Sequence, residues 1–203
     1  SPGVGGSTDF EDYLYKNYQV NSITIDPNEY ATPPRYGNFK HFVGFLSHFS
    51  DNNNGLFSLN DLHGKIRPQD CILQIDIEGD EWNIFKNINF EEESYPILIV
   101  EFHEILDNIF KKNDDSNYQK MLEVLKKINK FYIPIYTHPN NLSKSIRFKG
   151  KQLSNVIEVS YISKKIIFEE EISYKEIDYK KLFEKYPSPK TFKMYPEAYI
   201  SND

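Results

Sequence analysis

Residues 71–82 read Cys71-Ile72-Leu73-Gln74-Ile75-Asp76-Ile77-Glu78-Gly79-Asp80-Glu81-Trp82. An apolar, β-branched run that meets acids and a glycine and then turns amphipathic has the form of a buried strand, a tight turn and a helix start. The pattern predicts a strand over Cys71–Ile77 that delivers Asp76 and Glu78 to a sheet edge. Gly79 permits the turn, and Glu81 opens a helix over Glu81–Asn87 with the charge that a helix N-terminus favours. A solvated helix start accounts for Asp80 and Glu81. It does not account for Asp76, because a carboxylate closing an apolar strand needs a partner.

A second run of the same kind, Ile97–Phe102, is apolar until Glu101 and leads into His103. Strands that read this way are expected to be parallel and buried on both faces. Further strands are predicted at Ser22–Ile25, Tyr132–Thr137 and Val156–Ile162, with a weaker one at His41–Leu46. Helices are predicted at Phe10–Tyr18, with Asp9 as N-cap, and at Tyr118–Asn129, where Met121, Leu122, Leu125 and Ile128 recur at helical spacing. Strands alternating with helices imply a layered α/β sheet. Ligands of such sheets bind beyond the carboxyl ends of the strands. The residues at those ends are Asp26, Asp76 with Glu78, Glu101 with His103, and His138 with Asn140 and Asn141, an acidic and imidazole-bearing rim.

Composition narrows the function classes. The chain has 203 residues, 24 Lys and Arg against 30 Asp and Glu, and 39% hydrophobic residues. That suits one domain with a real core and excludes a disordered chain. The acidic balance argues against broad nucleic-acid binding, which needs basic side chains on phosphates. No apolar run reaches the ~20 residues of a membrane span and no signal peptide opens the sequence, so no membrane insertion is expected. The single cysteine, Cys71, makes no internal disulfide and points to a reducing, cytoplasmic setting.

The chain opens Ser1-Pro2-Gly3-Val4-Gly5-Gly6-Ser7-Thr8-Asp9. Glycines running into a helix N-terminus let a ligand approach the backbone and its free N–H groups. About 20 residues later a strand ends in Asp26-Pro27, where an acid can accept both hydroxyls of a ribose. A flexible terminus and a turn aspartate are the plain alternatives. A loop of this kind normally follows a central strand, so the first strand of the sheet is expected to be missing from the chain as given.

Asp76-Ile77-Glu78-Gly79-Asp80-Glu81-Trp82 resembles the signature of the FkbM-like class I S-adenosylmethionine (SAM) methyltransferases. Ser1–Glu11 looks like that family's cofactor loop, Ile25-Asp26-Pro27 its ribose acid, and Ile99–His103 its next strand end. Thr137–Asn141 with Asn155–Tyr161 is similar to the closing strands of a bacterial branch. The resemblance spans residues 1–163 and implies a Rossmann-like methyltransferase sheet, mostly parallel with the last strand antiparallel. Residues 164–203 are expected to form a C-terminal extension packed on the same domain as a solvated cover over one sheet edge, with a short amphipathic helix over Ile177–Tyr186 as the alternative. The implied activity is methyl transfer from SAM to a hydroxyl of a small sugar-like acceptor.

On that reading the cofactor residues are Gly3, Gly5, Gly6, Asp26, Pro27 and Asp76. Acceptor contacts fall to Glu78, Glu101, Asn140 and Asn141. A hydroxyl acceptor must lose a proton, and His103 is the first candidate for the base, followed by His138 and Asp76. Asp76, Glu78, Glu101 and His103 are possible Mg²⁺ ligands, but a metal-free site is expected. His41, His48, Trp82 and most tyrosines are read as packing or surface residues. Two alternatives remain. One is a nicotinamide-dependent oxidoreductase, for which the loop lacks a G-x-G-x-x-G seat. The other is a non-catalytic Rossmann-like interaction module.

Overall fold

A computed structural model describes residues 1–4, 7–28, 35–110, 116–140 and 142–169. Along the chain run α1 (Asp9–Tyr18), β1 (Ser22–Asp26), β2 (Phe39–Val43), β3 (Phe45–Leu46), β4 (Leu56–Phe57), α2 (Leu59–His63), β5 (Ile72–Ile75) and α3 (Glu81–Asn87). There follow β6 (Ile97–Phe102), α4 (Ile105–Phe110), α5 (Ser116–Phe131), β7 (Tyr132–Pro139), β8 (Ser145–Phe148), β9 (Lys151–Ser154), β10 (Ile157–Ser163) and α6 (Lys164–Glu169). The architecture is mixed α/β. Among the described residues no helix is long and apolar enough to cross a membrane.

β5 and β6 pair in parallel, and β10 runs antiparallel to both β6 and β7, giving the order β5-β6-β10-β7. β1 and β2 form a separate parallel pair. Residues 1–3 bridge the two groups. Pro2 pairs with Ile25 in parallel, Gly3 N–H donates to Ile25 O at 2.9 Å, and Asp76 N–H donates to Pro2 O at 3.1 Å. Only a glycine fits there, because a Cβ on Gly3 would lie 1.4 Å from the Asp76 carbonyl oxygen and φ is +80°. The segment read as a loop therefore starts as a strand-like link between the ends of β1 and β5.

Among the described residues β7 is the edge of its sheet, where the missing N–H groups of Pro134 and Pro139 break no ladder on the outer side. The weak strand at His41–Leu46 divides into β2 and β3 at Gly44, whose missing Cβ leaves room for the Gly55 carbonyl. The strand at Cys71–Ile77 is shorter than expected, because Asp76 and Ile77 leave the β6 ladder to bond Pro2 and Glu81. Asp9 is not the N-cap of α1. Thr8 holds that position without a side-chain bond, and Ser7 Oγ donates to Asp9 at 2.9 Å.

The expectation of burial on both faces is corrected. Leu73, Ile75, Leu98, Val100 and Phe102 are buried, whereas Gln74, Ile99 and Glu101 are half-buried. The reason is one-sided cover: α3 and α5 pack together and against β6 and β7 through Trp82, Phe85, Val124 and Ile128. The opposite face looks across a cleft toward the start of α1. The proposed helix over Ile177–Tyr186 lies outside the described residues.

Candidate functional site

The turn after β5 is built from two left-handed residues, Glu78 (φ +58°) and Gly79 (φ +118°). The second is natural for glycine, and the first is a conformation that side chains seldom adopt. This turn folds Glu81 back under its own approach. Glu81 is fully buried, and its Oε1 accepts Ile77 N–H at 3.0 Å and Gly79 N–H at 3.2 Å. The same oxygen accepts His103 Nδ1–H at 2.9 Å. His103 arrives from the end of β6, itself only 9% exposed. Its Nε2 lies 3.4 Å from Glu78 Oε2 and 3.7 Å from Asp76 Oδ1.

Trp82 pins the backbone of the histidine. Its Nε1–H donates to His103 O at 2.9 Å while its ring stacks on Phe102 with centroids 4.6 Å apart. Trp82→Phe keeps the stacking and strands a buried carbonyl, so urea unfolding is expected to show a loss of about 1–3 kcal/mol.

Charges in this cluster perturb one another. Burial disfavours the charged form of His103, but the Glu81 hydrogen bond and the charges of Glu81, Asp76 and Glu78 outweigh it and hold the imidazole at about 9. Burial, aided by the neighbouring Glu101 charge and opposed by His103, raises Asp76 to about 7. Asp76 Oδ1 and Glu81 Oε2 are sealed from solvent and have no hydrogen-bond partner among the described residues.

A row of polar residues continues across the sheet from this cluster. Glu101 on β6 faces Glu158 on β10, which in turn faces His138 on β7. Asn140 Nδ2–H donates to Glu101 Oε1 at 2.8 Å. Glu158 is pushed upward by burial and by Glu101, with His138 opposing. His138 stacks parallel to Tyr136 on the edge strand, and all of β10 separates it from the strand that carries His103.

Beside this row, a cleft of about 360 Å³ opens between the chain start and the sheet, lined by Gly3, Glu11, Gln74, Asp76, Glu158 and Ser160, among others. Asp26 and Asp76 close the two strands that flank Gly3. Asp26 Oδ1 accepts the Asn28 N–H at 2.8 Å, so its carboxylate also stabilises its own turn across the exposed Pro27. Gly5, Gly6 and Asn141 lie outside the described residues.

The fold thus gathers Asp76, Glu78, Glu101 and His103 at the ends of the neighbouring strands β5 and β6, and Asn140 reaches Glu101 from the end of β7. It leaves His138 farther along the row and sets Asp26 across Gly3. Glu81, Glu158 and Glu11 were not singled out as site residues. Glu158 had a faint signal as an acid inside an otherwise apolar strand. Glu81 had none, since its partner stands far away in the chain.

No protein-family model matches the chain, and no solved structure matches it. A protein of Acanthamoeba polyphaga mimivirus, "Uncharacterized protein R365", is 25% identical over 146 residues, covering 70% of this chain and 52% of the relative. The chain spans about half the length of that curated relative.

Proposed function

We propose that this chain is a SAM-dependent methyltransferase acting on a hydroxyl of a small, sugar-like acceptor. The observation that carries the reading is the seat of Gly3. Its Cβ-free backbone lies against the Asp76 carbonyl, between the strand ends of Asp26 and Asp76, and borders the cleft. The order β5-β6-β10-β7, in which β10 runs antiparallel to both of its neighbours, also supports it, since a Rossmann-like methyltransferase sheet has one reversed strand near an edge.

The residues suit the chemistry. SAM carries a sulfonium and an ammonium group, and Glu11, Asp76 and Glu158 give the cleft a complementary sign. Bound in the cleft, SAM would supply its methyl group to an acceptor oxygen held in line with the sulfur, which would leave with the bonding electron pair as S-adenosylhomocysteine. The proton of the acceptor hydroxyl passes to a base. Asp76 takes that role ahead of His103, because Asp76 lines the cleft while His103 is held by Glu81 beneath the carboxylates. His103 positions and charge-balances Asp76.

Calorimetric titration with SAM and with S-adenosylhomocysteine tests the proposal. Micromolar binding of both is expected, with no binding of NAD. Absence of binding to either sulfur nucleoside overturns the reading, and binding of NAD in their place favours the oxidoreductase.

A further inference from the structure

We propose that Asp76, Glu78 and His103 form a site for a divalent cation of the Mg²⁺ or Mn²⁺ class, with ligand atoms Asp76 Oδ1, Glu78 Oε2 and His103 Nε2. This departs from the metal-free site expected from the sequence. The three atoms lie within 4.8 Å of one another.

Three independent features point to an ion at their centre. First, the spacing is longer than hydrogen bonds and approaches that of shared ligation. His103 Nε2 stands 3.4 and 3.7 Å from the two carboxylate oxygens, beyond the ~2.8 Å of a charge-assisted bond. Two ligands about 2.1 Å from one ion are about 3.0–3.4 Å apart. Second, Asp76 Oδ1 is solvent-sealed and without a hydrogen-bond partner among the described residues. A bare carboxylate oxygen in that position is costly unless a cation meets it. Third, the outer shell has the form that a ligating histidine requires. The Nδ1–H bond to the buried carboxylate of Glu81 fixes the ring so that Nε2 faces the other two groups, and Nε2 releases its proton to solvent when the ion binds.

Two oxygens and one imidazole favour a hard or borderline ion over a thiolate-seeking one. Three protein ligands leave coordination positions open, and on the methyl-transfer reading these suit two neighbouring hydroxyls of the acceptor. That role rests on the proposed function, whereas the binding of the ion does not. Glu78 is exposed, so its carboxylate gives the ion a path from solvent to the sealed Asp76 Oδ1.

The test is a Mn²⁺ titration of the chelator-treated chain, followed by electron paramagnetic resonance of the free ion. One tight equivalent is expected, weakened at least about tenfold by Glu78→Gln and by Asp76→Asn, and unchanged by the remote surface substitution Glu92→Gln. Glu78 is exposed, so Glu78→Gln reports ligation without disturbing the fold. Failure of wild type to bind Mn²⁺ at millimolar concentration overturns the site, as does binding that neither substitution weakens. The SAM titration is read separately. Nucleoside binding without Mn²⁺ binding removes the cation site alone, and Mn²⁺ binding without nucleoside binding removes the methyl-transfer reading alone.

Discussion

Glu81→Ala is expected to lower the free energy of unfolding by about 3–5 kcal/mol, the cost of breaking a buried charged pair by removing one partner. The substitution strips an acceptor from three donors at once, the N–H groups of Ile77 and Gly79 and the Nδ1–H of His103. It also leaves an imidazolium in a nearly closed environment, so His103 should titrate well below its present value of about 9. Urea unfolding of chelator-treated protein measures the first effect, and the ring-proton shifts of His103 measure the second. A loss under about 1 kcal/mol would mean that the turn does not depend on Glu81.

The pH dependence carries its own sign. The folded pKa of His103 stands above its ordinary 6.5, so its contribution to stability is complete below 6.5 and is lost as pH rises through about 9. Asp76 is also raised, from 3.8 to about 7, and adds a decline over that lower interval which wild type and variant share in kind. Wild type should therefore shed more stability than Glu81→Ala between pH 6.5 and 9.

On the proposed methyl-transfer reading, Asp76→Asn is expected to reduce the rate by about 10²–10⁴-fold through kcat, the usual contribution of a positioned proton acceptor. The variant keeps the side-chain shape and the Asp76 N–H bond to Pro2 O. Its fold should be undisturbed, because a carboxylate raised to about 7 by burial already resists ionisation in place. Rates are read with labelled SAM and a panel of polyhydroxylated acceptors, beginning with any that wild type turns over. Binding of S-adenosylhomocysteine to the variant should remain within about tenfold, since a neutral polar contact contributes about that much. Unchanged kcat would remove Asp76 from the chemistry, and loss of nucleoside binding with kcat intact would reassign it to the cofactor.

Much of this site was legible along the chain. The order of apolar residues, acids and Gly79 in residues 71–82 predicts strand, turn and helix because each step uses a local preference. The same logic puts Glu101 and His103 at the next strand end. Gly3 was legible as a place of close backbone approach, though it meets the Asp76 carbonyl within the protein itself. Local patterning did not reveal the β8–β9 hairpin or the short helix α2. The hairpin strands are four residues each with only Ile146, Phe148 and Leu153 apolar, and α2 is a single capped turn closed by Ser58 and Asp61.

Glu81 marks the boundary most clearly. Along the chain it is an ordinary acid opening a helix, one that the helix dipole would tolerate in water. Folding buries it and turns it into the anchor of a histidine 22 positions away. Periodicity and turn chemistry are properties of neighbours in sequence, so the amino-acid order alone determined the alternating strands and helices and the polar character of the strand ends. Which ends meet, which sheet face stays open and which carboxylate lacks a donor depend on contacts between distant segments. Only the tertiary arrangement decided those, because desolvation and charge coupling act through space.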